Sequence, residues 1–173
     1  MSNAAMPALI PAPDLERRDS LGRLISLTWK GECNRANTGG ERWLVAVDGS
    51  ACSSRAVAVG AHLVAMGQGS MLDLVNVQPW LSKEAAETEL GRYGWAATAM
   101  ARRALAESAT LITWRLHVVM GDDAIAIVGL AETLGCFGIC IGSHGLTAAE
   151  AVLLGSVTCK VLRLAQMPVL IVR

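Results

Sequence analysis

The sequence lacks three features that would each indicate a particular class of protein. Its apolar runs stay well short of the roughly 18 residues that a membrane-spanning helix needs. Its 15 basic and 15 acidic residues balance, and no basic stripe stands out, which argues against nucleic acid as the main partner. Charged residues make up only 17% of the chain and hydrophobic residues 53%. We therefore expect a well-filled core rather than disorder.

The five cysteines form neither a disulfide pattern nor a metal site. Their number is odd, their spacing is not typical of disulfides, and no signal peptide is recognisable, so we expect a reducing cytoplasm. Cys136, Cys140 and His144 would suit a metal ion if they lay on a helix. On the strand predicted here, four residues span about 13 Å, which is too far for one ion to bridge. The sequence therefore predicts no metal ligands.

Five short apolar runs alternate with helical patterns between residues 43 and 172. Their apolarity is continuous rather than alternating, which is typical of strands covered on both faces. Such an alternation predicts an α/β fold: an open parallel five-stranded sheet with helices on both faces and right-handed crossovers. The predicted strands are residues 43–47, 71–77, 114–120, 137–141 and 168–172.

Residues 1–40 differ in character from the rest of the chain. Three prolines interrupt any early helix, although Asp14 could cap a short helix from Leu15 to Ile25. Gly39 and Gly40 are typical of a linker. We therefore expect an N-terminal extension over residues 1–40, partly disordered or containing a short helix, followed by one folded domain over residues 41–173.

The most specific pattern in the chain is a glycine motif with fixed spacing: Gly142-Ser143-His144-Gly145, nine residues, then Gly155-Ser156-Val157. It lies between a predicted buried strand and the last predicted helix. At such a junction backbone N–H groups are unpaired and the helix dipole is positive, so a phosphate fits there. Glycines allow a sharp turn and leave no Cβ against a ligand. The alternative is a loop that only turns the chain.

Three segments that are distant in the sequence end at the same edge of the predicted sheet. Asp48, Val77 and Gly142 each follow or close a predicted strand. Open parallel sheets bind ligands beyond the carboxyl ends of their strands. We therefore expect one crevice bordered by these residues, although Asp48 could simply cap the next helix. His62 and His117, in helix and strand patterns, are expected to be structural.

These motifs together resemble the universal stress protein family over residues 41–173. The resemblance implies a Rossmann-like fold with strand order 3-2-1-4-5 and a homodimer built through the last strand. The closing Gly-two-Gly-nine-Gly-Ser pattern is similar to the signature of the family's ATP-binding branch. The matching segments are Val45-Ala46-Val47-Asp48-Gly49-Ser50, Gly121-Asp122, the glycine motif, and Pro168-Val169-Leu170-Ile171-Val172.

The resemblance also implies an adenine-nucleotide site, holding ATP or else AMP or ADP, with Mg²⁺ or Mn²⁺ bridging the phosphates. The first two strand ends would meet adenine and ribose, and the glycine motif would hold ribose and phosphates. Many members carry a base within the loop, whereas residues 146–154 here contain no Lys or Arg and one acid, Glu150. The site residues expected are Val47, Asp48, Val77, Gly142, Ser143, His144, Gly145, Thr147, Gly155, Ser156 and Val157.

The function expected from this resemblance is an ATP-binding regulatory protein of the stress response, without catalytic residues. The sequence contains no P-loop lysine and no paired carboxylates near the glycine motif, so at most weak ATPase activity is expected. One alternative is a structural stress-response dimer with an empty crevice. Another is an enzyme that transfers AMP, but such enzymes usually carry a Ser-Gly-Gly-x-Asp-Ser loop where this chain has Asp48-Gly49-Ser50-Ala51-Cys52.

Overall fold

A computed structural model describes residues 10–31, 40–67, 71–107, 112–146 and 154–173. These residues form seven strands and five helices. In chain order the elements are β1 (Leu15–Arg18), β2 (Leu24–Lys30), β3 (Arg42–Ala46), α1 (Ala51–Met66), β4 (Met71–Gln78), α2 (Lys83–Ala97), α3 (Ala99–Glu107), β5 (Thr113–Met120), α4 (Asp123–Leu134), β6 (Gly138–Gly142), α5 (Ser156–Leu164) and β7 (Val169–Val172).

All seven strands belong to one mixed sheet in the order β1-β2-β5-β4-β3-β6-β7. The strands from β3 to β7 pair in parallel, whereas β1 and β2 pair antiparallel at one edge. The α/β class is confirmed. The prediction of five strands, all parallel, is wrong because two N-terminal strands extend the sheet, and the order of the whole sheet therefore also differs from the predicted one.

The N-terminal segment forms a β-hairpin rather than the short helix predicted from Leu15 to Ile25. Asp14 does not cap a helix, since its carboxylate accepts a hydrogen bond from the Lys30 N–H at 2.8 Å. Asp19 accepts hydrogen bonds from the N–H groups of Leu21 and Arg23, and Gly22 has a φ of +75°. These are turn interactions, and they reverse the chain where the sequence pattern suggested a helix.

The hairpin joins the sheet through the pairing of β2 with β5, and one apolar face of β2 packs against α2. Leu27 and Trp29 are buried against α2, where the rings of Trp29 and Trp95 lie 5.2 Å apart. The Trp29 indole N–H donates to the Pro11 carbonyl at 2.9 Å. Residues 10–31 therefore share a core with the residues that follow. The division of domains between residues 40 and 41 stays a prediction, and residues 1–9 and 32–39 lie outside the described part of the chain.

The helices cover the two faces of the sheet and leave its carboxyl edge accessible. Helices α1, α2 and α3 bury one cluster that includes Val45, Leu72 and Leu116. Helices α4 and α5 bury a second cluster around Leu44 and Ile139. Strand β3 lies between β4 and β6 and is parallel to both, so the carboxyl ends of the three strands meet at one edge of the sheet. Both faces of these strands are buried, as is typical of parallel sheets.

Candidate functional site

A cavity of about 670 Å³ lies at the carboxyl ends of β3, β4 and β6. Its volume falls within the range of small-molecule sites. It is the position where open α/β sheets bind ligands. Its walls consist of Ala46, Val47, Asp48, Ser53, Val75, Asn76, Val77, Asp123, Ile127, Ile141, Gly142, His144, Gly145, Leu146, Gly155, Ser156, Val157 and Thr158.

The two halves of the glycine motif are joined by hydrogen bonds across the cavity wall. The Gly155 N–H donates to the Ser143 carbonyl at 2.7 Å. The Thr158 hydroxyl donates to the Gly142 carbonyl at 2.8 Å. A Cβ on Gly142 would lie only 2.9 Å from the Cβ of Cys52. Gly142 therefore lets α1 approach the end of β6, a packing role that accompanies its place in the cavity wall.

Asp48 connects the end of β3 to the loop that follows β6. One carboxylate oxygen accepts from the Ser50 N–H at 2.9 Å, and the other accepts from the Leu146 N–H at 3.2 Å. The N-cap of α1 is Ser50 and not Asp48, since the Ser50 hydroxyl accepts from the Ser53 N–H. A Cβ on Gly145 would lie 2.8 Å from the Asp48 carboxylate. Asp48 is thus a cross-link within the cavity wall rather than a helix cap.

The first turn of α5 faces the cavity without a side-chain cap. Helices α1, α2 and α4 are capped by Ser50, Ser82 and Asp122, whereas the N-cap residue of α5 is Gly155, which has no side chain to accept from the first-turn amides. Ser156 and Val157 begin this helix and line the cavity. Backbone N–H groups and the positive end of the helix dipole are therefore presented to a ligand.

Another part of the cavity is apolar and is built from the ends of β3 and β4 together with one residue of α4. Val47, Val75, Val77 and Ile127 line it. The Val47 N–H donates to the Val75 carbonyl at 2.8 Å. Backbone groups alternate along a strand, so those of Val77 point the same way as those of Val75, toward the space beyond the end of β3. This part can receive a flat apolar ring with polar edges.

The formal charges that line the cavity are negative. Asp48 and Asp123 lie in its wall, and no Lys or Arg occurs among the described residues that line it. Desolvation and the charge of Asp122 raise the pKa of Asp123, Lys160 lowers it, Asp48 raises it, and on balance the pKa is raised. Lys160 does not line the cavity, and its Nζ lies 3.6 Å from Asp122. The described cavity wall therefore offers an anion backbone amides rather than cationic side chains.

The cavity brings together most of the site residues that the sequence predicts. Ser143 lies just beneath it, 1% exposed, with its hydroxyl 2.8 Å from Nδ1 of His144. Thr147 lies outside the described residues. The predicted residues found in the cavity wall are Val47, Asp48, Val77, Gly142, His144, Gly145, Gly155, Ser156 and Val157.

Sequence reasoning missed four polar residues of the cavity wall, which are Ser53, Asn76, Asp123 and Thr158. Buried Asn76 donates through its side-chain amide to the Val47 carbonyl at 2.7 Å and so fixes the end of β3 against β4. A polar residue in an otherwise apolar strand was the available signal. Asp123 follows Asp122, the N-cap of α4, and its position in the cavity depends on how α4 packs against the sheet.

A metal ion would find few protein ligands here. Within the described ranges, no group of three His, Cys, Asp or Glu side chains is placed to hold one. Burial raises the pKa of the Cys136 and Cys140 thiols to about 12, so neither is available as a thiolate near neutral pH. An Mg²⁺ or Mn²⁺ would need ligands from a bound phosphate.

The described helices include none that combines the length and apolarity needed to cross a bilayer.

The chain is similar to known proteins in fold and in sequence. No curated protein matches the chain. Among solved structures, a universal stress protein in complex with cAMP is 27% identical, with a TM-score of 0.54 over 79% of this chain and 98% of its own.

Two further structures share the fold at lower identity. UspA from Lactobacillus plantarum is 20% identical, with a TM-score of 0.61 over 77% of this chain and 97% of its own. A universal stress protein from Archaeoglobus fulgidus in complex with dAMP is 20% identical, with a TM-score of 0.55 over 77% and 98%. The family model for universal stress proteins matches residues 41–173, which include every strand from β3 to β7 and the whole cavity, and the chain therefore belongs to the universal stress protein family.

Proposed function

We propose that this chain is an adenine-nucleotide-binding regulatory protein of the stress response and that its ligand occupies the cavity at the carboxyl edge of the sheet. The observation that carries the proposal is the pairing of an apolar wall at the ends of β3 and β4 with the uncapped first turn of α5. An adenine ring and a phosphate group need these two environments. The relative that is 27% identical is in complex with cAMP, which supports the same ligand class.

Each end of the ligand has a proposed position. The purine ring would lie against Val47, Val77 and Ile127, with its polar edge toward the backbone of Val77. The phosphate would lie at the amides of Ser156 and Val157. The ribose, between them, would face the Asp48 carboxylate, which can accept a hydroxyl hydrogen bond with lone pairs that its two backbone contacts leave available.

A divalent cation would join this site through the nucleotide. Asp48 and Asp123 are the described carboxylates that line the cavity, and Mg²⁺ is commonly held by one or two carboxylates together with phosphate oxygens. When bound to a di- or triphosphate, the ion would neutralise part of the phosphate charge. The residues themselves only bind and orient the nucleotide, so we propose a binding protein rather than an enzyme.

We also propose that the protein is a cytoplasmic homodimer formed through β7. This strand is one edge of the sheet, and it consists of Val169, Leu170, Ile171 and Val172, which are half-buried or exposed. An apolar edge strand of this kind is a ready site for pairing with a second copy. A nucleotide at α5 and a partner at β7 would lie on neighbouring elements, which would let the ligand influence the dimer.

The sharpest test is a charge added at the first residue of α5. Ser156→Asp should lower the affinity for AMP or ATP at least tenfold, because a carboxylate would occupy the phosphate position and repel it. The same carboxylate at a helix N-terminus favours folding, so the melting temperature should stay equal or rise. Isothermal titration calorimetry and thermal denaturation of both proteins, purified free of nucleotide, measure the two effects.

The matched control is Ala99→Asp, which adds the same charge at the exposed first residue of α3, away from the cavity. It should bind nucleotide like the parent. If Ser156→Asp and the parent bind equally well, the phosphate does not lie at α5. If the parent binds no adenine nucleotide and none copurifies with it, the protein is a structural dimer with an empty crevice.

A further inference from the structure

We propose that the cavity selects an adenine nucleotide with a single phosphate group, AMP or cAMP, over ATP. This inference rests on the proposed function and specifies its ligand. The charges around the proposed phosphate position differ from those of a typical triphosphate site. A triphosphate needs compensation for several negative charges, and that compensation normally comes from Lys, Arg or a metal ion.

The sequence between the two halves of the glycine motif contributes no cationic side chain. Between Gly145 and Gly155 the sequence contains no Lys or Arg, and it contains one acid, Glu150. No Lys or Arg lies among the described residues of the cavity wall either. The fixed positive charge at this end is therefore the N-terminus of α5, which is equivalent to roughly half an elementary charge. A partial charge of this size is better matched to one phosphate group than to three.

Carboxylates at the same end would act against additional phosphates. Asp123 lies in the cavity wall at the first turn of α4, which packs beside α5. Asp122 and Asp48 both interact electrostatically with Asp123, and their effect is to raise its pKa. Asp48 and Asp123 line the same cavity and Asp122 directly precedes Asp123, so the three carboxyl groups lie in one region. Each phosphate beyond the first would add negative charge to this region and lose affinity.

Lys160, whose charge also acts on Asp123, is already paired with Asp122. Its Nζ lies 3.6 Å from an Asp122 oxygen, and its side chain does not line the cavity. Binding a second phosphate through Lys160 would require that ion pair to break and would leave Asp122 uncompensated next to Asp123. The arrangement therefore favours a ligand whose charge the α5 amides can satisfy alone.

The test is a comparison of cAMP, AMP, ADP and ATP by isothermal titration calorimetry, in EDTA and at one fixed ionic strength. We expect the two monophosphates to bind most tightly and ATP at least tenfold more weakly than AMP. Asp123→Asn should raise the affinity for ATP about three- to tenfold, and that for AMP by less, because the repelling charge is removed. Adding Mg²⁺ should improve ATP binding and leave AMP binding nearly unchanged.

The control is Glu132→Gln, which makes the same change of charge at the far end of α4, on an exposed side chain; its affinities should match those of the parent. ATP binding as tightly as AMP in EDTA would overturn this inference and leave the proposed function standing. So would an Asp123→Asn variant that binds ATP no more tightly than the parent in EDTA, since the Asp123 carboxylate would then not oppose the additional phosphates. If no adenine nucleotide binds, the proposed function itself fails.

Discussion

At the scale of single residues, Asp73 shows how a buried charge is accommodated outside the cavity. Its side chain is fully buried in β4. Arg42 donates to one carboxylate oxygen from Nη2 at 2.8 Å, and Nε2 of His117 lies 2.8 Å from the other. The Thr28 hydroxyl lies 3.1 Å from Nδ1 of His117. The network therefore joins β2 of the hairpin to the central strands, and His117 is structural, as expected.

The pKa of Asp73 reflects opposing effects in this network. Burial by itself would raise it, but the hydrogen bonds and charges of His117 and Arg42 outweigh burial and hold the pKa below its ordinary value. A lowered carboxyl pKa stabilises the folded state at any pH above the ordinary value of about 4. That stabilisation is lost as the pH falls through the lower, folded-state pKa.

Asp73→Asn should lower the free energy of unfolding at pH 7 by about 3 kcal/mol, because it leaves the partly buried Arg42 without its counter-charge. The parent should lose stability as the pH falls below about 4, and the variant should lose less over that interval. Urea unfolding at several pH values measures both. Glu107→Gln, which breaks an exposed ion pair with Arg103, should change stability by less than about 1 kcal/mol. Equal losses of unfolding free energy in Asp73→Asn and Glu107→Gln would contradict the prediction.

At the scale of elements, two helical glycines lie in different surroundings. Gly94 of α2 lies against β5, where a Cβ would come within 2.3 Å of a methyl carbon of Val118. For Gly129 of α4, apart from its chain neighbours and its own helix backbone, no atom of the described residues lies within 4 Å of the position that its Cβ would take. Gly94 therefore permits close packing of helix on sheet, whereas no described neighbour requires a glycine at position 129.

The two glycines should therefore respond oppositely to the same substitution. Gly129→Ala should raise the free energy of unfolding by about 0.5–1 kcal/mol, since alanine is the better helix former. Gly94→Ala should lower it by about 1–3 kcal/mol, since overpacking against Val118 outweighs the same gain in helix propensity. Denaturant unfolding of the two variants measures the difference. A stabilised Gly94→Ala protein would show that α2 can move away from the sheet at little cost.

At the scale of the whole molecule, the two edges of the sheet differ in chemistry. Strand β1 is exposed and mostly charged, with the sequence Leu-Glu-Arg-Arg, and its pairing with β2 shifts register near Arg18. Arg18 also forms an ion pair with Glu87 of α2. Charge and irregular pairing both discourage another strand from adding to an edge. Strand β7 carries neither feature, so the proposed dimer has one available edge.

A pair of leucine substitutions tests this asymmetry. Leu170 on β7 is 38% exposed and Leu15 on β1 is 55% exposed. We expect the parent to run at twice the mass of one chain in light scattering after size exclusion. Leu170→Lys should shift it to the monomer, because a charge would be buried at the interface, whereas Leu15→Lys should leave the dimer intact. A parent that is monomeric at all concentrations would contradict the proposed interface.

Local chemistry along the sequence determined much of the α/β scaffold. Ser50 and Asp122, residue types that favour helix N-caps, begin α1 and α4, and Gly135 ends α4 with a φ of +63°. These signals act within a few residues, so they can be read without knowing the fold. The apolar pattern along α2 and α3 is a weaker guide to burial, since Tyr93 and Met100 are exposed and the helical run is interrupted at Thr98.

Tertiary packing alone decided how distant segments meet. The hydrogen bond from the Leu146 N–H to Asp48 joins residues 98 positions apart. The docking of Trp29 on α2 and the placement of Asp123 beside the α5 N-terminus depend in the same way on which elements become neighbours. The sequence by itself determined where the five parallel strands and the glycine motif lie, since those follow from local propensity, whereas the strands of the N-terminal hairpin were not predicted. The charge that the cavity presents was decided only when α4, α5 and β3 came together.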